Sequence, residues 1–139
     1  MKDYDMKKIR NLLLVGASGA GKTSLAEQIF FSNKATNRLG KVDEGNTVMD
    51  FDPEETAKKM SLGLSIGFLN HNDHKINILD SPGYPDFIGD AIVAIQAVEN
   101  VIAVANAAGG FEVGLELALE QVEHRKVGKV IVVNRMDNE

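Results

Sequence analysis

The chain has no cysteine among its 139 residues, which excludes disulfides, thiolate metal sites and cysteine nucleophiles. Its three histidines (His71, His74 and His124) lie at no familiar metal-ligand spacing. No apolar run approaches the roughly 18 residues that a spanning helix needs, so we expect no membrane as a partner. Basic residues are also fewer than acidic residues, with 15 Lys+Arg against 20 Asp+Glu. Proteins that bind nucleic acid by themselves are usually basic, so no direct nucleic-acid binding is expected.

What is present is typical of one globular domain. The apolar fraction is 44% and the charged fraction is 25%, both ordinary values for such a domain. The segment Met1–Lys8 is charged and lacks the apolar stretch of a secretory signal. The sequence therefore predicts a cytoplasmic protein.

The hydrophobic pattern predicts strands alternating with helices. The predicted strands are Ile9–Val15, Leu62–Leu69, Lys75–Leu79, Val101–Ala107 and Val130–Val133, and the predicted helices are Lys22–Phe31, Asp86–Val98 and Glu112–Val127. The second and third strands are close enough to form a hairpin. This alternation favours an α/β fold, a three-layer arrangement around a mostly parallel sheet with one antiparallel edge hairpin.

Two segments depart from this alternation. Ser32–Lys59 is polar, has little periodicity and is too long for an ordinary connection, which is typical of a functional lid or a mobile loop. The chain also stops a few residues after its last predicted strand. We therefore expect residues 1–139 to be a partial domain, truncated after the fifth major strand, whose parent protein carries further C-terminal domains.

The strongest motif is Gly16–Thr23, which reads GASGAGKT and matches G-x-x-x-x-G-K-[ST] between a predicted strand and a predicted helix. Glycines allow the loop to wrap a phosphate with backbone N–H groups, and the helix N-terminus adds its positive dipole. Lys22 supplies a charge to the β- and γ-phosphates, and the Thr23 hydroxyl can coordinate Mg²⁺. The predicted nucleotide-binding residues here are Ala17, Ser18, Gly19, Ala20, Gly21, Lys22, Thr23 and Ser24.

Asp80-Ser81-Pro82-Gly83 follows an apolar strand, where an acidic residue is placed to hold Mg²⁺ beside a phosphate loop. The backbone N–H of Gly83 can meet a γ-phosphate. The same four residues also form ordinary turns, but their position after a phosphate loop favours the nucleotide interpretation.

Asn134-Arg135-Met136-Asp137 follows the last predicted strand and is similar to the guanine-reading motif N-K-x-D. A carboxylate at Asp137 can accept two hydrogen bonds from guanine, a pattern that adenine does not offer. Arg135 stands where lysine is usual, and the two cations are not interchangeable. Guanine is favoured over adenine, and an ATP-using phosphate-loop enzyme remains the alternative.

The three motifs and their neighbours resemble translational GTPases, and in particular elongation factor G or an elongation-factor-G-like paralogue. Asp80–Phe87 (DSPGYPDF) resembles D-T-P-G-H-x-D-F, Leu39–Asp50 resembles the start of switch I, and Asn106–Glu112 resembles a family turn. The resemblance implies a P-loop NTPase G domain that binds GTP or GDP with Mg²⁺ and hydrolyses GTP. It also implies two switch loops, Ser32–Ser61 and Gly83–Gly89, and the ribosome as a partner of the full-length protein.

The resemblance also implies roles for individual residues, with three departures. Lys22, Gly83 and Tyr84 fall at catalytic positions, but Tyr84 replaces the histidine that positions water. A phenol, with an ordinary pKa near 10, is a poor base at pH 7. Ser61 replaces the switch I threonine in a metal set of Thr23, Ser61 and Asp80, and Gly19 replaces an aspartate. A regulatory module with weak or no hydrolysis is therefore an alternative function.

Overall fold

The computed structural model describes residues 4–137, which form one five-stranded sheet with helices on both faces. The strands are β1 (Ile9–Gly16), β2 (Ser65–His71), β3 (His74–Asp80), β4 (Asn100–Asn106) and β5 (Gly128–Asn134). Their order across the sheet is β2-β3-β1-β4-β5. β2 and β3 pair antiparallel, and every other neighbouring pair is parallel. The predicted α/β fold with an antiparallel edge hairpin is confirmed.

The helices are α1 (Lys22–Ser32), α2 (Pro53–Lys58), α3 (Ile88–Ile95) and α4 (Val113–Arg125). α1 packs through Phe30 on one face of the sheet, where Leu14 and Ile78 complete an apolar cluster. α3 and α4 cover the opposite face, where Leu13 and Val101 lie among the fully buried residues. Successive residues of β1 thus enter two separate cores, as expected for a strand buried on both faces.

Helix α3 is shorter than the predicted helix Asp86–Val98. Its first residues form a separate 3₁₀ turn, Pro85–Phe87, and α3 itself ends at Ile95. Beyond that residue the backbone tightens, because the Gln96 N–H donates to Val93 O at 3.1 Å. Such i→i−3 bonds are common where an α-helix ends.

The polar stretch Ser32–Lys59 contains α2, a helix that the hydrophobic pattern did not predict. Asp52 caps this helix by accepting from the Glu54 N–H, Pro53 opens it, and the Glu55 carboxylate accepts from the Asp52 N–H. This is a capping box with proline at the first helical position. The short pattern D-P-E-E was therefore a usable signal for a helix.

Strand β5 forms one edge of the sheet and exposes apolar side chains. Val130 is 61% exposed, and Ile131 and Val133 are also exposed, so both faces of this strand carry accessible apolar surface. Parallel strands are usually covered on both faces.

Within residues 4–137, no helix combines the length and apolar character needed to cross a membrane.

Candidate functional site: a phosphate loop beside a cluster of oxygen ligands

The phosphate loop joins β1 to α1 at the carboxyl edge of the sheet. Lys22 opens α1, yet its side chain is only 5% exposed because it folds back over the loop. Its Nζ donates to the carbonyl oxygens of Gly16 at 3.0 Å and Ala17 at 2.9 Å. The ammonium is thereby fixed at the centre of the loop rather than extended into solvent.

The electrostatic environment of the Lys22 ammonium favours the binding of an anion. Burial lowers its pKa, and the carboxylates of Asp80, Asp50 and Glu112 oppose that shift. A desolvated ammonium has lost the water that stabilised its charge, so it favours a ligand that supplies negatively charged oxygens in place of that water. Triphosphates and diphosphates have this character, and the helix N-terminus adds to the same potential.

Gly83 brings the β3–α3 connection against the phosphate loop. A Cβ at this position would lie 2.5 Å from the Lys22 Nζ and 2.5 Å from the Ser18 N. No real Cβ approaches other atoms so closely, so only glycine allows this backbone contact. The predicted proximity of Gly83 to the phosphate end of the loop therefore has a steric basis in the structure.

Four side-chain oxygens converge beside the loop. The Thr23 hydroxyl donates to Asp80 Oδ2 at 2.6 Å and lies 3.2 Å from the Ser61 hydroxyl. Ser61 in turn donates to Asp50 Oδ1 at 2.7 Å. The structure thus brings together the three predicted metal ligands, Thr23, Ser61 and Asp80, and adds Asp50.

Two carboxylate oxygens of this cluster lack a protein partner. Asp80 Oδ1 and Asp50 Oδ2 are buried without a hydrogen bond to any of residues 4–137. Burial raises the pKa of Asp80 to about 6, with the Thr23 hydrogen bond and Lys22 acting against it, and burial also raises the pKa of Asp50. Buried oxygens that need a positive partner fit a hard cation such as Mg²⁺.

The number of protein oxygen ligands at this cluster also fits Mg²⁺. Residues 4–137 contain no group of three or more His, Cys, Asp or Glu side chains able to hold a metal by themselves. Mg²⁺ keeps several waters and commonly takes one or two protein carboxylates together with phosphate oxygens. Asp80 with the hydroxyls of Thr23 and Ser61 would therefore suffice only when a phosphate is also present.

The predicted base-reading motif lies beside the phosphate loop. Asn134 donates through Nδ2 to the Ala20 carbonyl oxygen at 2.9 Å, which ties the end of β5 to the loop. Arg135 has a left-handed backbone (φ 56°) and reaches the cavity wall. Asp137 is exposed and does not contribute to the wall.

A cavity of about 420 Å³ joins these features. The predicted residues in its wall are Ser18, Gly19, Gly21, Lys22, Thr23, Ser24, Ser61, Gly83 and Arg135. The opposite side is closed by Leu39–Asp43 of the polar stretch and by Lys59 and Met60 at its end. A cavity of this size accommodates a small organic ligand.

Tyr84 is the predicted catalytic residue that the structure leaves out of the cavity wall. It follows Gly83 directly, but its side chain is 42% exposed and does not line the cavity. Its carbonyl oxygen accepts from the Phe87 N–H at 3.0 Å and thereby starts the 3₁₀ turn.

Two acidic residues near the loop were not predicted as site residues. Asp50 closes the metal cluster through Ser61, and Glu112, which directly precedes α4, acts on the charge of Lys22. Both lie inside segments that carry the family resemblance. The position of Asp50 at the end of Leu39–Asp50 was the available signal.

Lys59 ends α2 with a left-handed backbone (φ 54°) at a position where glycine is favoured. We expect Lys59→Gly to raise the free energy of unfolding by about 1 kcal/mol by removing this strain. Denaturant titration measures the change. Lys58→Gly removes the same charge from a helical residue that pairs with Glu54 at 2.6 Å, so it should destabilise the protein. Equal destabilisation by both variants would contradict the backbone argument.

The fold and the site together define a class: a nucleotide-binding α/β domain of the phosphate-loop type. Comparison with known families makes this assignment more specific. The chain belongs to the family described as "Elongation factor Tu GTP binding domain", whose model matches residues 7–139. It is a G domain of the translational GTPases.

Individual relatives agree with this family. An "Elongation factor G-like protein" of Mycobacterium tuberculosis is 33% identical over 94% of this chain and 18% of its own length. "Ribosome-releasing factor 2, mitochondrial" of Yarrowia lipolytica is 33% identical over 94% of this chain and 16% of its own. The chain thus spans less than a fifth of either relative.

Solved structures agree as well. A crystal structure of a protein from Thermus thermophilus has a TM-score of 0.90 at 32% identity, over 95% of this chain and 20% of that chain. A bacterial selenocysteine-specific elongation factor, at 21% identity, superimposes with a TM-score of 0.77 over 95% of this chain and 21% of its own. The second likeness supports the fold alone.

Proposed function

We propose that this domain binds GTP and GDP with Mg²⁺ and hydrolyses GTP as the switch of an elongation-factor-G-like protein. The observation that carries the proposal is the convergence of Thr23, Ser61 and buried Asp80 beside a phosphate loop whose lysine is desolvated. Ser61 lies just after the polar stretch, so the metal cluster joins the end of that stretch to the loop. A switch requires such a link.

Each residue has a distinct part in this proposal. Lys22 neutralises the β- and γ-phosphates, and the N–H of Gly83 donates to the γ-phosphate that GDP lacks. Asp80 and the hydroxyls of Thr23 and Ser61 would hold Mg²⁺, which supplies charge neutralisation at the phosphates when bound. The remaining loop residues contribute backbone N–H groups.

Selectivity for guanine is proposed to rest on the last motif. Asn134 holds the end of β5 against Ala20, which fixes the distance between the motif and the phosphate loop. Asp137 would accept from guanine N1–H and the exocyclic amine, and the Arg135 stem would pack along the base. Adenine does not offer this pair of donors, so ATP would gain no binding energy from Asp137.

We further propose that residues 1–139 are part of a longer protein that acts on the ribosome. The exposed apolar side chains of β5 and the share of its relatives that the chain spans support this proposal. The domain itself carries a net charge of −5, so RNA contacts are assigned to other parts of the protein. A cytoplasmic location is proposed, although the Yarrowia lipolytica relative is described as mitochondrial.

The second candidate function is a guanine-nucleotide-binding regulatory module with slow hydrolysis. The exposed position of Tyr84 favours it, because a side chain outside the cavity wall is poorly placed to orient water at the γ-phosphate. The two candidates share every binding residue and differ only in turnover.

A Tyr84→His variant separates the two candidates. If the phenol limits turnover, we expect histidine to raise the ribosome-stimulated rate of GTP hydrolysis at least tenfold, in the range of general acid–base effects. The rate is measured as phosphate release by the full-length protein with ribosomes and Mg²⁺. Tyr84→Phe is the matched control and should not raise the rate. An unchanged rate in Tyr84→His would show that the phenol is not the limiting feature.

A further inference from the structure

The most deeply buried charged side chain outside the nucleotide site is Glu27. It lies on α1 with an exposed fraction of 0%. Its Oε1 accepts from the backbone N–H of Val48 at 2.6 Å and of Met49 at 3.4 Å. Its Oε2 is buried without a hydrogen-bond partner in the part of the chain that the structure describes. A carboxylate is costly to bury, so a buried glutamate with one unpartnered oxygen needs an explanation.

The segment that Glu27 binds is held from other directions as well. The Met49 side chain is 1% exposed and packs with Phe30 in the α1 core cluster. The carbonyl oxygen of Met49 accepts from the Ser65 hydroxyl at 2.7 Å. Gly40 lies directly over the carboxylate, where a Cβ would collide with Glu27 Oε2. One short piece of the polar stretch is therefore fixed to the core of the domain.

The fixed segment at Val48 and Met49 is connected to the metal cluster by two routes, one along α1 and one through Asp50. Thr23 and Glu27 are four residues apart, so they lie on the same face of α1. From Met49 the chain passes directly to Asp50, which accepts from the Ser61 hydroxyl. Ser61 then lies beside the Thr23 hydroxyl. The hydrogen bonds, with α1 and the 48–50 backbone, thus form a closed path from α1 through the polar stretch and back to α1.

We propose that Glu27 is a positioning residue for the triphosphate-bound state. Its carboxylate holds Val48 and Met49 against α1. Because of this contact, Asp50 and Ser61 face Thr23 when a γ-phosphate and Mg²⁺ bind. This contact divides residues 33–61 into two parts that rearrange separately, residues 33–46 before it and residues 51–61 after it. This inference rests on the proposed function, because it assigns the regulation of the same site.

The test compares a GTP analogue with GDP in Glu27→Gln and Glu27→Leu. Gln keeps an acceptor for the two N–H groups but loses the charge, whereas Leu keeps the bulk and leaves both donors unpaired. With Mg²⁺ present, we expect Glu27→Gln to weaken binding of the non-hydrolysable GTP analogue about fivefold to tenfold. Glu27→Leu should weaken it about thirtyfold or more. Both variants should bind GDP within about threefold of the wild type, since GDP lacks the γ-phosphate that recruits Ser61.

Glu116→Gln is the matched control, because Glu116 is exposed on α4 and distant from the loop in sequence. It should leave both affinities unchanged. An equal loss of GDP and GTP-analogue affinity in the Glu27 variants would overturn the proposal, because it would show a general structural role.

Hydrogen exchange tests the contact of Glu27 with Val48 and Met49 independently of nucleotide binding. The amides of Val48 and Met49 should exchange at least tenfold faster in Glu27→Gln than in the wild type, while the amides of β1 keep their rates. Unchanged exchange at these two amides would overturn the proposal. If the wild type binds no guanine nucleotide, the proposed function fails, whereas this exchange measurement still decides whether Glu27 holds the segment.

Discussion

An Asp80→Asn variant is expected to be more stable than the wild type at pH 8 and to lose Mg²⁺-dependent nucleotide binding. The Asp80 carboxyl is 1% exposed, and burial raises its pKa to about 6 from an ordinary value of 3.8. A shift of about two units corresponds to about 3 kcal/mol of cost for the ionised form. Asparagine carries no charge and keeps an oxygen that can accept from Thr23.

The sign of the pH dependence follows from the raised pKa. The folded protein holds the Asp80 proton more tightly than the unfolded chain, so wild-type stability falls as the pH rises from about 4 to about 6. The variant lacks this titration, and its advantage should grow over the same interval and then level off. Denaturant titrations across pH 4–8 without Mg²⁺ or nucleotide measure the difference.

Two controls define this result. Asp86→Asn alters an exposed acid in the Pro85–Phe87 turn and should show no pH-dependent advantage over the wild type. Added Mg²⁺ and GDP should stabilise the wild type by mass action and should stabilise Asp80→Asn less. A stability difference between Asp80→Asn and the wild type that is constant from pH 4 to pH 8 would contradict the assigned burial effect.

A Lys22→Met variant is expected to fold and to bind GDP and GTP at least a hundredfold more weakly. Methionine retains the length of the side chain but removes the ammonium, and hydrogen bonds from a charged donor to phosphate are each worth about 1.5–3 kcal/mol. Burial lowers the pKa of Lys22, so the folded protein gives up little when this charge is removed. Calorimetric titration gives the affinities, and a thermal scan gives the midpoint of unfolding.

Lys7→Met is the control for this prediction, because Lys7 is an exposed residue of the first 3₁₀ turn. It removes the same charge without touching the loop and should bind nucleotide like the wild type. Wild-type affinity in Lys22→Met would show that the loop does not bind phosphate through this side chain. A large fall in its thermal midpoint would instead assign Lys22 a structural role.

Features encoded in short, continuous segments were predictable from the sequence. β1 is an apolar run that stops at Gly16, and the residues that follow match a motif whose glycines and lysine act within one loop. The hairpin of β2 and β3 was equally local. For these elements, backbone preference and hydrophobic pattern agree with the tertiary fold.

Contacts between distant segments were not predictable in the same way. Asp50 and Glu112 approach Lys22 only because three connections meet at the carboxyl edge of the sheet. The burial of Glu27 depends on the path of the polar stretch, since a glutamate in an otherwise ordinary helix is usually exposed. Ser61 was assigned from the resemblance, and the structure adds its hydrogen bonds to Thr23 and Asp50.

The most direct test of the central claim is a titration with fluorescent GDP and Mg²⁺, followed by competition with GTP, ATP and ADP. GTP is expected to displace the probe, whereas ATP and ADP are not, because only guanine offers the donors that Asp137 accepts. Removal of Mg²⁺ should weaken GTP more than GDP, since the oxygen cluster serves the γ-phosphate. Equal displacement by ATP and GTP would contradict the guanine site and leave a phosphate-loop protein of no particular base preference.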